Sequence, residues 1–483
     1  MPAASRKGVV VVAASLLFIS VVVALTYVWR QPILEHVPDR FKQFPSQTFE
    51  TPVESDHGFV PGFTEIDSDQ AGEGGDGAKP EHHDWADNLT PEQKKASEEN
   101  MQIEHNVLRS KMTSDGKWFR IDFLDESGFN PSIIPHPEKE DTWIAIAQRN
   151  KAKDPSDIWN AELVCEVEFK NDNMTCTQSP KILPIASTVS DKCTGDYDYM
   201  NRMMGPHDAR LFHGPTKPYL MYVSQHKDTC LGQWLHDFRR LFDYSSTAVT
   251  NRKQLFFWPT QLERPPPFGR QEKNWFVFWD TENNMYIHND IVPKRVFAKL
   301  NPDGTVGKDL APLAEAKDSK CMKDHLPQLR DNGLEWLHQS TNSLAITLCK
   351  RSDPDCEKKD DNTFNMIIIQ KKTFYWHGVY SPFILLFRRT APFEVYGISS
   401  KPFWYNGRGV PMGHWTERPG DIGKPQNQSE MVFTTSMNWK QRGLGHHGYL
   451  DDDIIINFGM EDRRAGGIDV TAEDLMQDFA FCD

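Results

Sequence analysis

The chain has 483 residues, of which 25% are charged, and its formal net charge at pH 7 is −14. An acidic chain of this kind is not a general nucleic-acid binder, because contacts to phosphates need lysine and arginine. Aromatic residues make up 11% of the chain, with 14 tryptophans, which suits either the stacking of sugar rings or a large β-structured core.

The N-terminal segment predicts a membrane anchor. Residues 8–29 carry no charged side chain, and about 20 apolar residues suffice to cross a bilayer as a helix. The alternative is a cleaved signal peptide, but Tyr27 and Trp29 stand where its small cleavage-site residues would lie. We therefore expect a single-pass type II protein with residues 1–7 as a cytoplasmic head and the remainder lumenal or extracellular.

A stem and a neck are predicted next. Residues 30–89 include an acidic, glycine-rich stretch with few large apolar side chains, so they cannot bury enough surface to offset chain entropy and should form a disordered stem. A capping box begins at Thr90, with proline at the first helical position, and predicts a helical neck over residues 90–113. Residues 114–483 then suffice for one large domain or two small ones.

Cysteines and sequons fit an oxidising compartment. None of the eight cysteines forms a Cys-x-x-Cys pair, which argues against a zinc site. Their even number permits disulfides in an oxidising lumen. Cys165 and Cys176 flank a turn as cross-strand partners would, and Cys349 and Cys356 close a short loop. The partners of four cysteines stay open: Cys193, Cys230, Cys321 and Cys482. Three glycosylation sequons fit the same compartment: Asn88, Asn173 and Asn427.

The folded region carries many short apolar runs that are bounded by Pro, Gly, Asn and Asp, which is typical of β-strands. The run at 253–259 is among them, whereas 231–242 is the best helical candidate. The runs group near residues 142–185, 205–260, 274–300, 336–400 and 430–470. We predict an all-β fold in which five groups form a five-bladed β-propeller, although a β-sandwich with long loops would give similar runs.

Two segments before strand-like runs carry residues suited to catalysis. Asp208 and Arg210 lie two positions apart, so Asp208 could act as a general acid while Arg210 binds an anionic group such as phosphate. A surface ion pair is the alternative. Lys273 and Asn274 precede another run and could bind phosphate or sugar hydroxyls, unless the segment is an ordinary turn.

The C-terminal region offers further candidates. Asp462 follows a strand-like run and could contact a sugar hydroxyl, whereas His447 lies in a glycine-rich loop and could bind a phosphate or hydroxyl, or merely be exposed. The consecutive carboxylates at 451–453 lack the spacing of a calcium loop. No metal site is predicted, and metal dependence stays open.

Three segments carry a family resemblance through their order along the chain. GPHDARLF at 205–212 resembles the Glu-Asp-Pro-Arg motif of the β-mannoside phosphorylases of glycoside hydrolase family 130. EKNWFVF at 272–278 resembles that family's Glu-Lys-Asn segment, and residues 431–462 resemble its last blade. With the anchor and the lumenal features, the chain looks most like the fungal Golgi β-mannosyltransferases of glycosyltransferase family 91.

The resemblance covers roughly residues 140–475 and implies a five-bladed propeller with a central, funnel-shaped active site. Asp208 matches the catalytic acid or base of the motif, and Arg210 matches the arginine that shapes the site. Two residues depart from the motif, since His207 replaces its Glu and Ala209 replaces its Pro. These changes could alter the ionisation of Asp208, change the donor or acceptor, or mark an inactive relative.

The same resemblance places Lys273 and Asn274 near the substrate and matches Asp462 to an aspartate of the last blade. It implies a Golgi type II membrane glycosyltransferase that transfers mannose in β-linkage, with GDP-mannose as donor and a glycan or cell-wall mannan as acceptor. No cofactor is firmly implied. A β-mannoside phosphorylase or hydrolase on the same propeller, or a membrane-tethered glycan-binding protein without catalysis, remain the alternatives.

Overall fold

The computed structural model describes residues 104–150, 159–243, 254–330, 335–373, 378–409 and 429–482, with residues 91, 102 and 252. Within these residues, no helix is long and apolar enough to cross a membrane. Five predicted features lie outside them: the head at 1–7, the anchor at 8–29, the stem at 30–89, and the sequons at Asn88 and Asn427. They stay predictions.

The described part is an all-β structure in which five antiparallel units follow one another along the chain. Two strands come first, β1 (Asn106–Leu108) and β2 (Phe119–Asp122). The first unit contains β3 (Gly128–Pro135), β4 (Thr142–Arg149), β5 (Glu162–Lys170), β6 (Asn173–Cys176) and β7 (Lys181–Ile182). The second contains β8 (His207–His213), β9 (Pro218–Gln225), β10 (Leu231–Asp237) and β11 (Thr260–Gln261). The third contains β12 (Phe276–Trp279), β13 (Met285–Asp290) and β14 (Val296–Lys299).

The remaining strands complete two larger units. The fourth contains β15 (Glu335–Gln339), β16 (Leu344–Thr347), β17 (Thr363–Thr373), β18 (Val379–Arg388) and β19 (Val395–Ser399). The fifth contains β21 (Val432–Trp439), β23 (Asp453–Met460) and β24 (Arg464–Thr471). Two short strands, β22 (His447–Tyr449) and β25 (Phe479–Phe481), pair at the edges of the fourth unit, whereas β20 (Phe403–Tyr405) pairs with β1 in a separate two-stranded sheet. These units correspond to the five groups of apolar runs in the sequence.

Helices are few among the described residues. Residues 91, 102 and 104, in the predicted neck, are helical, and a further α-helix, α1 (Glu315–His325), lies between the third and fourth units. Short 3-10 helices lie at Gly195–Arg202, Phe238–Arg240, Ala311–Leu313 and Ala472–Met476. Because the strands are buried and the helices are short or peripheral, strand packing supplies most of the core.

The N-terminal strand β2 joins the two ends of this succession. It pairs antiparallel with β24 of the fifth unit and parallel with β6 of the first. The fifth and first units thereby form one continuous nine-stranded sheet. Pairing β2 with both units satisfies backbone groups at two strand edges that would otherwise be exposed.

Apolar layers separate each unit from the next. Separate clusters of buried side chains join units one and two around Leu220, two and three around Trp275, three and four around Phe387, four and five around Ile384, and five and one around Ile455. Each unit therefore buries both faces, which explains why its strands read as nearly continuous apolar runs rather than as an alternating pattern.

Buried asparagines link different units of the fold. Asn438 on β21 donates to the Leu211 carbonyl of β8 at 3.1 Å, and Asn342 donates to the Met437 carbonyl at 2.8 Å. Asn457 accepts from the Ile133 amide of β3 at 3.0 Å. These side chains are at most 1% exposed, so paired polar groups fix the mutual register of these strands.

Three predicted elements differ from the structure. The helix predicted over 231–242 is strand β10 followed by a 3-10 turn, because β10 is buried on both faces and its apolar spacing only resembles a helical period. The strand predicted over 253–259 is a turn from residue 254, where Phe256 has a φ of 55°. The neck helix does not reach residue 113, because β1 pairs in parallel with β20.

All eight cysteines form disulfides. Cys165 bonds Cys176 across β5 and β6, and Cys349 bonds Cys356, the two pairs expected from their spacing. The pairs that the sequence left open are Cys193–Cys230 and Cys321–Cys482. The latter ties α1 to the C-terminal segment. The sequon residue Asn173 begins β6 after the predicted turn.

Candidate active site

Asp208, Arg210, Lys273 and Asp462 are brought together by different units of the fold. Asp208 and Arg210 lie in the first strand of the second unit, and Lys273 lies just before the first strand of the third. Asp462 lies two residues after the end of β23 of the fifth unit. The charges of Lys273 and Arg210 act on Asp208, and the charge of Asp208 acts on Asp462. A single cluster of charged side chains therefore forms from residues distant in sequence.

Asp208 is held in an unusual backbone conformation. Its φ is 54°, and the pairing of β8 with β9 is irregular between His207 and Arg210. The Asp208 amide donates to Gln148 Oε1 at 3.2 Å. A β-bulge of this kind re-aims a side chain, and strained backbone at a polar cleft is typical of functional sites.

The surroundings of Asp208 favour its carboxylate form. Burial opposes ionisation, but the positive charges of Lys273, Arg210 and His207 and a hydrogen bond with Asn130 outweigh it and hold the pKa of Asp208 below its usual value. The departure at His207 thus adds positive charge beside Asp208. The group is an anion at neutral pH and can accept a proton or face a developing positive charge.

Asn130 depends on a neighbouring glycine. Asn130 is 6% exposed with a φ of 52°, and it hydrogen-bonds to Asp208. A Cβ atom added at Gly459 would lie 1.9 Å from Asn130 Oδ1, so a larger residue there would displace the asparagine. The sequence reading missed Asn130. Its only local signal is a left-handed turn residue before Pro131.

The second aspartate of the cluster behaves in the opposite way. The surrounding protein and the negative charges of Asp208 and Glu461 raise the pKa of Asp462 to about 6, although Lys273 and Lys372 oppose this. The Asp462 residue still contacts solvent, which weakens the burial contribution. Two carboxyl groups whose pKa values are pushed apart are the usual basis of separate acid and base roles.

A third carboxyl group lies beneath Asp208 and holds a proton. Glu162 is 0% exposed, and burial raises its pKa to about 8. The Ala209 amide donates to Glu162 Oε1 at 3.2 Å, which only partly opposes this rise. Arg210, 3% exposed, also favours the anion of Glu162 through its charge. The sequence reading missed Glu162, which lies in an ordinary strand-like run.

Three cations surround the aspartates. Arg210 is buried and donates to the Ala209 carbonyl at 3.1 Å, so a ligand in solvent does not reach it directly. Lys273 is exposed and Lys372 is half-buried. Burial and the charge of Lys273 lower the pKa of Lys372, while Asp462 opposes this. The two lysines are the cations that an anionic ligand could reach, and Lys372 was not identified from sequence.

Aromatic side chains of the fourth and fifth units adjoin the charged cluster. The Phe433 ring centroid lies 5.8 Å from Arg210 Cζ, 5.1 Å from that of Tyr380 and 6.0 Å from that of His338. Burial and the charges of Lys273, Lys372 and Arg210 lower the pKa of His338 to about 4, so its imidazole is neutral. No motif marks these residues in the sequence.

Two predicted residues have a different placement. Asn274 adjoins Lys273 with a φ of 60° and turns the chain into β12. His447 lies apart from the aspartates: its Nε2 hydrogen-bonds with Thr347 Oγ1 at 2.8 Å, and the charges acting on it are those of Lys358, Arg389, Arg351 and Asp452. The structure does not bring His447 to Asp208, because β22, on which His447 lies, pairs in parallel with β16 of the fourth unit. Its substrate-binding role stays a prediction.

The acidic run at 451–453 has structural partners. Asp452 Oδ2 lies 2.6 Å from Arg351 Nη2, and Asp451 accepts from the Ser352 amide at 3.0 Å. Among the described residues, no group of three or more metal-ligating side chains is arranged to hold a metal ion.

Comparisons with known proteins give remote structural similarity. No family model and no curated protein matches the chain. It is similar to a β-1,2-mannobiose phosphorylase from Listeria innocua (11% identity, 77% of this chain and 96% of that chain, TM-score 0.40). It is also similar to MPT-1, a GDP-Man-dependent mannosyltransferase from Leishmania mexicana (10% identity, 78% of this chain and 94% of that chain, TM-score 0.37). A third similar structure is an endo-arabinase from Bacteroides thetaiotaomicron (9% identity, 73% of this chain and 96% of that chain, TM-score 0.33). Because these TM-scores lie below 0.5, they do not assign the chain to a family.

Proposed function

We propose that this chain is a glycosyltransferase that moves mannose from GDP-mannose to a saccharide acceptor, on a five-bladed β-propeller. The propeller is supported by the five antiparallel units, by the apolar layer between each unit and the next, and by β2, which joins the fifth unit to the first. First strands of different units then surround a common centre, where Asp208 and Lys273 lie.

The observation that carries the enzymatic proposal is the pairing of two carboxyl groups of opposite pKa shift with solvent-accessible lysines. Asp208 is ionised, whereas Asp462 titrates near pH 6. The positive charge of Lys273 acts on both carboxyl groups, and that of Lys372 acts on Asp462. A merely structural ion-pair network would neutralise these charges by close contacts, whereas here Lys273 and Asp462 face solvent.

The proposed transfer assigns a role to each group. The acceptor hydroxyl oxygen bonds to C1 of mannose while the bond from C1 to the phosphate oxygen breaks, and GDP leaves with the electron pair. Asp208 accepts the hydroxyl proton. Lys273 and Lys372 stabilise the charge that develops on the leaving diphosphate, and Asp462 hydrogen-bonds a sugar hydroxyl.

A β-mannoside phosphorylase is the second candidate, because the same lysines would fit inorganic phosphate. A binding protein without catalysis is less well supported. His207, which stands where the Glu-Asp-Pro-Arg motif has its Glu, lowers the pKa of Asp208 through its charge. A Golgi location, β-linkage and a type II anchor at 8–29 belong to the proposal on sequence grounds alone.

The test measures binding and turnover on the purified full-length chain. Calorimetry with GDP-mannose, GDP and inorganic phosphate is combined with transfer of labelled mannose to mannobiose and longer manno-oligosaccharides. We expect Asp208→Asn to retain GDP-mannose binding and to lose transfer by about 10²–10⁴-fold. Lys273→Ala should weaken GDP-mannose binding.

The matched control is Asp172→Asn, because Asp172 also has a left-handed backbone, with a φ of 59°, in the turn between β5 and β6. It should leave transfer unchanged. Phosphate-dependent release of mannose 1-phosphate without transfer would establish the phosphorylase instead. Absence of binding to all three ligands would contradict both candidates.

A further inference from the structure

An exposed tryptophan extends the aromatic wall of the candidate site, which is formed by His338, Tyr380 and Phe433. Trp336 on β15 is 39% exposed. It is directly opposite Lys372 on β17, and Lys372 is directly opposite Tyr380 on β18. Directly opposite residues in antiparallel strands share one face of the sheet, so these three side chains form a row across the fourth unit.

Distances within the row show that its members contact one another. Lys372 Nζ lies 5.5 Å from the Trp336 ring centroid and 5.8 Å from that of Tyr380. An ammonium group at this distance over an aromatic face is attracted by the ring. Lys372 therefore holds the two rings on either side of it.

The inner end of the row reaches the carboxylates. The charges of Asp462 and Asp208 raise the pKa of Tyr380, after a larger contribution from burial. The charge of Asp462 also acts on Lys372, whose pKa it raises against the larger opposing effect of burial. Trp336 is thus the outer end of a surface that begins at the proposed reaction centre.

Strand geometry explains why Trp336 faces this side. Trp336 and His338 are two residues apart on β15, so they point to the same face, whereas Leu337 between them is 6% exposed and packs in the layer with the third unit. His338 belongs to the aromatic wall beside Arg210. An indole on the same face is consequently directed to the site rather than to the core.

We propose that Trp336 is a stacking platform for a saccharide ring of the acceptor, one subsite out from the ring that reacts. The apolar C–H face of a pyranose covers the indole. The two lysines nearest the aspartates are left to the donor's phosphates. This inference rests on the proposed function, because it takes the Asp208 cluster as the reaction centre.

The test compares Trp336→Ala and Trp336→Phe with wild type in the full-length chain. Calorimetric titrations use mannobiose, mannotriose and mannotetraose in the presence of GDP, and GDP-mannose alone. We expect Trp336→Ala to weaken binding of the longest oligosaccharide about tenfold, to raise its KM similarly, and to leave GDP-mannose affinity within twofold. Trp336→Phe should restore most of the loss, because it keeps a flat ring.

Trp258→Ala is the control, since Trp258 is 58% exposed but lies in the turn before β11. Oligosaccharide affinity that is equal in wild type and Trp336→Ala overturns the subsite, even if mannose transfer is intact. Trp336-dependent oligosaccharide binding without any GDP-mannose binding keeps the subsite and removes the transferase. If wild type binds no oligosaccharide, the subsite is overturned as well.

Discussion

At the scale of single residues, the departure at position 209 has a structural consequence. The Glu-Asp-Pro-Arg motif that this segment resembles has a proline there, and proline has no amide hydrogen. Ala209, by contrast, donates its amide hydrogen to Glu162 Oε1 at 3.2 Å. Glu162 is fully buried beside Asp208 and Arg210. The alanine thus provides a buried carboxyl group with a hydrogen bond that a proline could not donate.

The ionisation of Glu162 should make stability depend on pH. Its pKa is about 8 in the folded chain and 4.5 without the fold, so the neutral form stabilises the protein fully below pH ~4.5, and this contribution is lost as pH rises through 8. Glu162→Gln keeps the acceptor for Ala209 and cannot ionise. The difference between the free energies of unfolding of Glu162→Gln and wild type should therefore rise in favour of the variant, by up to about 1.4 kcal/mol per pH unit between pH 4.5 and 8.

Urea titrations at several pH values between 5 and 9 measure this difference. Glu168→Gln makes the same chemical change on the same strand at a partly exposed position and serves as the control. A difference between wild type and Glu162→Gln that does not change with pH would show that Glu162 is already ionised in the folded chain.

At the scale of elements, helix α1 is held by one buried ion pair. Asp318 Oδ2 lies 2.7 Å from Arg295 Nη1, with side chains 6% and 1% exposed. Asp318 Oδ1 also accepts from the Val395 amide of β19 at 2.8 Å. One carboxylate therefore connects the helix to the third and fourth units.

Removing that carboxylate should be costly. Asp318→Ala leaves the Arg295 charge buried without its partner, and we expect the free energy of unfolding to fall by about 3–5 kcal/mol. Asp324→Ala on the exposed side of the same helix should change it by less than about 0.5 kcal/mol. Denaturant unfolding measures both, and equal small effects would show that the pair does not hold α1 in place.

Local sequence patterns predicted elements well only where burial and pattern agree. The run at Thr142–Arg149 became strand β4 with those bounds, because its β-branched and aromatic residues fill apolar layers. The helix predicted over residues 231–242 was wrong, because a strand that is buried on both faces lacks the alternation of polar and apolar residues that distinguishes a strand from a helix. Helix α1 was missed because its position depends on Asp318 and Arg295, a contact between distant residues.

At the scale of the whole folded part, the grouping of strands could be predicted, but its closure could not. The turn-bounded runs separate into the five units, whereas β2 pairs with β24 across more than three hundred positions of sequence. The site shows the same division. Asp208 and Asp462 were found from motifs, but Glu162, Lys372 and the aromatic wall come together only through folding, and their local sequence carries no signal.

The C-terminal end of the folded part is fixed by β25 and by the Cys321–Cys482 disulfide. β25 pairs with β19 over three residues, too short to hold an end alone, whereas the disulfide spans 161 positions. By loop entropy such a crosslink stabilises by ~5 kcal/mol, compared with ~2.5 kcal/mol for the 7-position Cys349–Cys356 crosslink. We expect Cys321→Ser/Cys482→Ser to lower Tm clearly more than Cys349→Ser/Cys356→Ser in thermal unfolding. Equal losses in the two double variants would mean that β25 and its packing, rather than the long crosslink, hold the C-terminal segment on the fourth unit.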